Sequence, residues 1–272
     1  MTQNLAELRQ HDHDRFLSLL LSPMPQRLYL IALYAFNLEI ARIPDLVSEP
    51  MMGHIRLQWW RETLEGLGQG ETRGHHVAEA LHEARIDGKT LLPLIDARER
   101  DLEENLFADM DALELYTEQT SAALMQQAAT LIAGDEKARQ ASEALSHAAI
   151  AYGLTGLLRA VPFHATQGRI MLPASQLQTH NVDPHEILAG KNSDGLRCII
   201  EEVIKRIRWH LKEASTVRFE KKLMPALLPA TLCELYLKVI SRTDFDPFTT
   251  PVEIPAFRRQ LRFMGRMIRR KI

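Results

Sequence analysis

The stretch ALYAFNLEIARIPDLVSE, residues 32–49, carries apolar side chains every three or four positions until it reaches Pro44. This spacing puts the apolar side chains on one side of a helix, whereas a half-buried strand would alternate apolar and polar residues. The same period returns in AYGLTGLLRAVPFHATQGRIMLP, residues 151–173, and in nearly every other segment. The β-branched alternation that is typical of strands is rare. The sequence therefore predicts an all-α protein.

Helices are predicted wherever this period runs between glycine and proline breaks. The predicted spans are residues 12–21, 25–43, 51–67, 76–84, 91–103, 112–131, 138–161, 196–215, 225–241 and 256–272. Pro162 and Pro173 are expected to bracket an irregular stretch. No Gly-, Ser- or Pro-rich linker and no internal repeat divides the 272 residues, so we expect one domain, residues 1–272, with its helices bundled around a central cavity.

The composition excludes several classes of protein. Hydrophobic residues make up 46% and charged residues 25% of the chain, which is typical of a globular protein and not of a disordered or collagen-like one. Two cysteines cannot build a disulfide framework and indicate a reducing compartment. No apolar run approaches the roughly 18 residues of a spanning helix. The N-terminus lacks a signal or transit pattern, so we expect a cytoplasmic protein.

Charge is distributed unevenly along the chain. Residues 1–196 hold 16 Lys/Arg against 27 Asp/Glu, whereas residues 197–272 hold 17 against 8. The most basic segment, 256–272, has no acidic residue and contains Arg258, Arg259, Arg262, Arg266, Arg269, Arg270 and Lys271. Nucleic acid is not an expected partner, because most of the chain is acidic and no recognition motif accompanies the basic residues.

Apolar residues recur at helical spacing within this basic segment, at Phe257, Leu261, Met264 and Ile268. The pattern predicts a basic amphipathic helix, which would suit an anionic membrane surface or a partner protein. The alternative is a helix whose apolar stripe closes the protein's own core. Trp59 and Trp60 are adjacent, so we expect one to pack inward and the other to lie at a groove or interface. We assign Trp60 to a membrane or partner contact, and the alternative is core packing alone.

Polar side chains that could bind an anion gather in the second stretch. Thr155, Arg159 and His164 fall near helical spacing, and Arg169 follows beyond Pro162. The alternative for the two arginines is a surface ion pair. No metal site is expected among the eleven histidines, since adjacent His75 and His76 project differently from a helix and have no third ligand nearby in sequence.

These segments resemble the squalene/phytoene synthase family, whose members share the all-α isoprenoid-synthase fold. That family typically shows an ALYAFCR-x-x-DD-x-x-D helix, an L-x-x-WR element, and an LTNILRD-x-x-x-D segment that runs into GR-x-YLP. The corresponding strings of this chain are ALYAF at 32–36, LQWWR at 57–61, LTGLLR at 154–159 and GRIMLP at 168–173.

The aspartates of the two family motifs are mostly replaced. In active members they hold Mg²⁺ ions that grip the substrate diphosphate. The resemblance places Ala41 and Arg42 at the paired aspartates of the first motif, with Asp45 retained after Pro44, and it places Ala160 and His164 at the aspartates of the second. Mg²⁺ requires oxygen ligands in near-octahedral array, and a guanidinium beside Asp45 repels a divalent cation. We therefore expect no metal and no cofactor, with Mg²⁺ involved only if the chain is an enzyme.

The replacements suggest a different use for the cavity. We hypothesise that an anionic head group, such as a lipid phosphate or prenyl diphosphate, is bound directly without a metal. The residues assigned to it are Arg42, Asp45, Thr155, Arg159, His164 and Arg169. Two alternatives stay open: an active prenyltransferase that condenses two prenyl diphosphates, and a lipid or prenyl-diphosphate carrier.

The departures themselves resemble one branch of the family, typified by a mitochondrial respiratory complex I assembly factor. Asn-Leu-Glu at 37–39 and LRAVPFH at 158–164 are the features shared with that branch. The resemblance implies a non-catalytic role with complex I subunits or assembly intermediates as partners. The location that it implies is cytoplasmic and peripheral on the inner membrane of a bacterium, and the matrix side for a mitochondrial counterpart.

Overall fold

The computed structural model describes residues 2–103 and 107–272. Within these residues the chain forms α-helices α1 to α17, which in order are Thr2–His11, His13–Leu19, Gln26–Ala41, Pro50–Gly66, His76–Glu83, Leu92–Arg98, Met110–Thr117, Ala123–Ala133, Asp135–Gln140, Ser142–Arg159, Val161–Thr166, Ala174–Thr179, Pro184–Leu188, Asp194–Ala214, Met224–Leu227, Cys233–Ile240 and Ala256–Arg269. None of the described residues forms a strand, so the all-α prediction is confirmed. Among them no helix has both the length and the apolarity to cross a bilayer.

The described chain divides into two compact units. The first, unit 1, consists of residues up to 103 together with 123–142 and 219–229. Its central helix is α3, which packs against α1, α5 and α8. Every residue from Leu30 to Ile40 is buried except Glu39, as expected for a helix that is apolar on nearly all sides. Glu39 is therefore the position at which α3 keeps a partly exposed acidic side chain.

Gly88 allows a close approach between two backbone segments of unit 1. A Cβ atom built on Gly88 would lie 2.1 Å from the carbonyl oxygen of Leu64 near the end of α4. Because the obstacle is backbone, it cannot move aside in the way that a flexible side chain would. Only glycine fits this approach to α4.

The second unit, unit 2, contains residues 107–122, 143–218 and 230–272 of the described chain. Its longest helix, α14, buries one apolar stripe that includes Ile199, Val203 and Ile207. A π-helical turn, Glu118–Ala122, continues α7 and approaches α10 closely. A Cβ atom on Gly153 of α10 would lie 2.8 Å from the Ser121 hydroxyl oxygen, so the small residue permits the approach.

The structure departs from the predicted elements at several points. Helix α1 was not predicted, because its ten residues are mostly polar and show little apolar periodicity. The predicted helix 112–131 is interrupted by the π-helical turn. Pro162 lies in the first turn of α11, where a proline is tolerated because its missing N–H would have no helical partner. The expectation of a single domain over 1–272 stays a prediction.

Candidate functional site

The first family motif lies where α3 ends. Ala41 is the last residue of α3, and Arg42 is its C-cap. Pro44 lies within a short 3₁₀ turn, Ile43–Asp45, in which the Asp45 amide donates to the Arg42 carbonyl at 3.0 Å. Asp45 is exposed, and it belongs to this turn and not to α3. The i, i+4 spacing that would align two motif carboxylates on one helix face is lost here.

Arg42 acts electrostatically on the helices around the end of α3. Burial lowers the pKa of His11 on α1, and the positive charge of Arg42 lowers it further. Arg42 also acts on Glu39, although its influence on that pKa is weaker than those of burial, Glu7 and His76. The positive charge of Arg42 therefore shifts the pKa values of His11 on α1 and Glu39 on α3.

In unit 2, Thr155 and Arg159 lie one turn apart on α10. Thr155 is 1% exposed, and its hydroxyl donates to the Ala151 carbonyl at 2.7 Å, so its proton is already used within the helix. The Arg159 guanidinium carbon lies 3.8 Å from the centre of the Tyr236 ring. Tyr236 is fully buried, so this cation–π contact holds the guanidinium in a defined place.

His164 and Arg169 are joined by the turn that follows α11. The Arg169 amide donates to the His164 carbonyl at 2.8 Å, and both side chains are half-buried. Gly168 has φ +70°, a left-handed conformation that lets the chain turn back at this point. The His164 amide in turn donates to the Ala160 carbonyl at 2.8 Å, so α10 and α11 follow one another with one residue between them.

The predicted anion-binding residues are thus divided between the units. Arg42 and Asp45 belong to unit 1, and Thr155, Arg159, His164 and Arg169 belong to unit 2. Their joint action on one ligand stays a prediction. The donor set at the motif positions does not suit Mg²⁺, because Asp45 retains a carboxylate but the alanine, arginine and histidine side chains at the other positions supply no oxygen ligand.

Helix α17 presents its apolar stripe to solvent. Phe257, Leu261, Met264 and Ile268 are 67%, 48%, 46% and 79% exposed. Phe263, on another side of the helix, is fully buried. Arg262 faces the protein, since its Nε donates to the Thr231 carbonyl at 2.9 Å and burial lowers its pKa. The alternative in which this stripe closes the protein's own core is therefore wrong.

Trp60 is not at the surface. It is 4% exposed and meets Phe36, Trp59 and His75 edge-on, with ring centres 5.3, 5.1 and 4.9 Å away. Its assignment to a membrane or partner contact is corrected, because aromatic packing within unit 1 takes up its ring. The neighbouring Trp59 is the half-exposed member of the pair.

Two polar clusters were not found from the sequence. In unit 2, the Arg206 guanidinium donates to Glu114 at 2.6 Å, and His210 Nε2 lies 3.4 Å from the same carboxylate. In unit 1, Glu7, Glu39 and His76 each bring one ligand-type atom within 4.8 Å of the others. Each cluster joins residues far apart in the chain, so no local spacing could have indicated it.

Similarity to known proteins shows the family and the fold of this chain. The model of the squalene/phytoene synthase family matches residues 8–262. NADH dehydrogenase (ubiquinone) complex I, assembly factor 6, of Bos taurus is 32% identical over 250 residues, which cover 90% of this chain and 74% of that protein. The chloroplastic phytoene synthase of Daucus carota is 26% identical over 245 residues, covering 85% of this chain and 61% of that protein.

A solved structure shares the fold. A crystal structure of a dehydrosqualene synthase in complex with ligand superposes with a TM-score of 0.82, at 15% identity, and covers 98% of this chain and 94% of that one. The predicted isoprenoid-synthase type of helical architecture is confirmed by this likeness.

Proposed function

Because the chain belongs to the squalene/phytoene synthase family, we propose that it uses the family's fold without prenyl transfer, to assist the assembly of respiratory complex I. The observation that carries this proposal is the greater identity to the assembly factor than to phytoene synthase, at similar coverage. The loss of motif carboxylates at Ala41, Arg42, Ala160 and His164 supports it, since departure of a diphosphate needs metal ions to neutralise its charge.

Deletion of the gene in its own host tests the assembly role. Membranes of the deletion strain, separated on blue-native gels, should contain less mature complex I and more subassemblies. Expression of the wild-type chain from a plasmid should restore the mature complex. Unchanged complex I in the deletion strain would overturn the proposal.

An anionic isoprenoid or lipid head group is the ligand that we propose for the basic residues of unit 2. Arg159, His164 and Arg169 follow one another over two helices and one turn, and Arg159 is held by Tyr236. Guanidinium groups bind phosphate oxygens by charge-assisted hydrogen bonds and need no metal between them. This ligand would suit either a scaffold or a carrier.

Titration of farnesyl diphosphate with and without EDTA tests metal-free binding. We expect the same affinity in both, and about tenfold or greater weakening in Arg169→Gln, a loss typical of a charged hydrogen bond. Arg208→Gln, which removes an exposed arginine of α14, is the matched control and should bind normally. Binding that EDTA abolishes would overturn the metal-free ligand.

The enzymatic alternative has its own readout. With Mg²⁺ present, the rate of diphosphate release from farnesyl or geranylgeranyl diphosphate should be the same with the protein as in a control without it. Turnover that requires Mg²⁺ would replace the non-catalytic proposal by the prenyltransferase alternative.

Peripheral attachment to an anionic membrane is our proposal for α17. Its exposed stripe is flanked by exposed Arg258 and Arg269, so apolar insertion and attraction to anionic lipid act together. The proposed location is accordingly the cytoplasmic face of a bacterial inner membrane, or the matrix face for a mitochondrial counterpart.

Sedimentation with vesicles tests α17. The wild-type chain should bind phosphatidylglycerol vesicles, bind phosphatidylcholine vesicles less, and lose affinity as salt is raised. The double variant Phe257→Ser with Ile268→Ser should bind at least about tenfold more weakly, since each side chain contributes about 1.5–3 kcal/mol when buried. Val217→Ser, which removes an exposed apolar residue elsewhere, is the control. Equal binding by all three proteins would exclude α17 as the anchor.

A further inference from the structure

Three helices of unit 1 bring two carboxylates and one imidazole together. Glu7 comes from α1, Glu39 from α3 and His76 from the start of α5, and one ligand-type atom of each lies within 4.8 Å of the other two. His76 Nε2 and a Glu7 carboxylate oxygen are 3.5 Å apart. Around a tetrahedral Zn²⁺ with bonds of about 2.0–2.2 Å, neighbouring ligand atoms are about 3.4 Å apart. The His76–Glu7 pair therefore already has the separation of two zinc ligands.

The charges of this cluster are unbalanced. Burial raises the pKa of Glu39, and the negative charge of Glu7 raises it further. The opposing influences of His76, Arg42 and Arg56 are each smaller than that of Glu7. A bound cation would reverse this situation, because two carboxylates that repel each other become ligands of one charge.

His76 is held in place as a ligand should be. The adjacent His75 accepts the Val77 amide through Nδ1 at 3.3 Å, which caps α5. The His75 ring stacks on that of His76, with centres 4.7 Å apart, and packs against Trp60. His76 Nε2 itself is buried and makes no hydrogen bond within the described part of the chain. Ordered neighbours that fix a ligating imidazole are a general feature of metal sites.

A second buried polar group lies on the same face of α1. Asn4 is fully buried, and neither of its amide atoms has a hydrogen-bond partner among residues 2–103 and 107–272. It precedes Glu7 by three residues, so the two Cβ atoms are about 5–6 Å apart. An orphaned amide is costly inside a protein, so a polar partner such as a bound water is expected at this face of α1.

We propose that Glu7, Glu39 and His76 bind a divalent transition-metal ion, with Zn²⁺ as the best match to one imidazole and two carboxylates. Water would complete the coordination, as it does in zinc sites with three protein ligands. Ligand atoms that are now up to 4.8 Å apart must approach one another by about 1 Å to reach the spacing of zinc ligands. The long glutamate side chains allow this movement. The ion would tie α1 to α3 and α5. This site uses none of the family's motif aspartate positions, and it is independent of the proposed assembly role.

Calorimetric titration of Zn²⁺ into metal-free protein tests the site. The wild-type chain should bind one ion per chain, and His76→Gln should bind at least about a hundredfold more weakly, since even loss of a supporting neighbour costs 10–100-fold. His54→Gln, which removes an exposed histidine of α4, is the matched control and should bind as the wild type does. Absence of binding, or binding that His76→Gln leaves unchanged, would overturn the site.

Thermal unfolding of Glu39→Gln gives a second readout that loss of folding cannot imitate. In EDTA this variant should unfold at a higher temperature than the wild type, because it removes the repulsion from Glu7. In excess Zn²⁺ the order should reverse, because only the wild type gains stability from the ion. The same order in both conditions would count against the site, whatever the outcome for complex I.

Discussion

Glu39 and Glu114 are both half-buried glutamates on helices with histidine neighbours, yet their pKa values are shifted in opposite directions. Burial raises the pKa of Glu39, and Glu7 adds to this effect. Burial also opposes the charge of Glu114, but His210 and Arg206 together bring its pKa down to about 2. The two pKa shifts differ because the charged neighbours of the two glutamates differ, and not because one glutamate is more deeply buried. Glu114 belongs to a completed ion pair, whereas Glu39 lacks a sufficient counter-charge, which is typical of a binding site.

The largest effect that we expect is from breaking the completed pair. Glu114→Gln should lower the free energy of unfolding by about 2 kcal/mol at pH 7, since it leaves the buried His210 without this carboxylate and leaves Arg206 with the exposed Asp111 at 3.3 Å. Urea unfolding measures this difference. Glu118→Gln, at an exposed position one turn later, should change little. Equal losses in both variants would show that Glu114 has no special role.

The same pair predicts a pH dependence. Because the folded pKa of Glu114 lies below its ordinary value of 4.5, the stabilisation by the ionised group is complete above about pH 4.5. It is lost progressively as the pH falls from 4.5 through about 2, and below that pH the carboxyl is protonated in both states. The gap between wild type and Glu114→Gln should therefore narrow over this range in urea unfolding. A gap that stays constant would contradict the ion pair.

A smaller effect of opposite sign is expected at Glu39. Its pKa is raised, so the folded state holds the proton more tightly and stability decreases as the pH rises above 4.5. In EDTA at pH 7, Glu39→Gln should therefore raise the free energy of unfolding by about 0.5 kcal/mol, as relief of a like-charge pair does. The gain should vanish below pH 4.5. If Glu39→Gln were less stable than the wild type at pH 7, an opposite charge would already compensate the Glu39 carboxylate in the folded chain.

The smallest effect should come from an ion pair without burial. Arg242 donates twice to Asp244, at 3.0 and 2.7 Å, but both side chains are more than half exposed. Water and salt screen such a pair, and ordering two side chains offsets its attraction. Arg242→Gln should give no resolvable change in urea unfolding. A clear loss would show that hydrogen-bond geometry matters more here than burial.

Local periodicity was sufficient for the fold wherever a helix has a strong apolar pattern. Helices α3, α4, α10 and α14 lie close to their predicted spans, because burial of an apolar face is what forms them. Helix α1 was missed since its stability comes from packing against α3 and not from its own sequence. Helix α11 was missed because Pro162 was interpreted as a breaker, although it occupies the first turn.

The candidate sites were harder to predict for a physical reason. Arg159 and His164 fall near helical spacing and Arg169 follows a few residues later, so local sequence was enough to suggest this series as a candidate. Partners such as Tyr236 for Arg159 come from distant helices and have no local signal. The unit 1 cluster likewise depends on tertiary packing of α1, α3 and α5. Even Trp60 and Trp59, which differ by one position, needed the packed helices to show which one is buried.

The exposed stripe of α17 has a consequence for the steady-state abundance of this protein in a cell. Four apolar side chains of α17 lie in water in the folded chain as they do in the unfolded chain, so they contribute no stability until a surface covers them. A surface that binds α17 only in the folded chain lowers the fraction of unfolded copies, which is the fraction that chaperones and proteases act on. The steady-state abundance of the chain should therefore follow the amount of surface that is available to cover α17, and overproduced copies should be degraded faster than engaged ones.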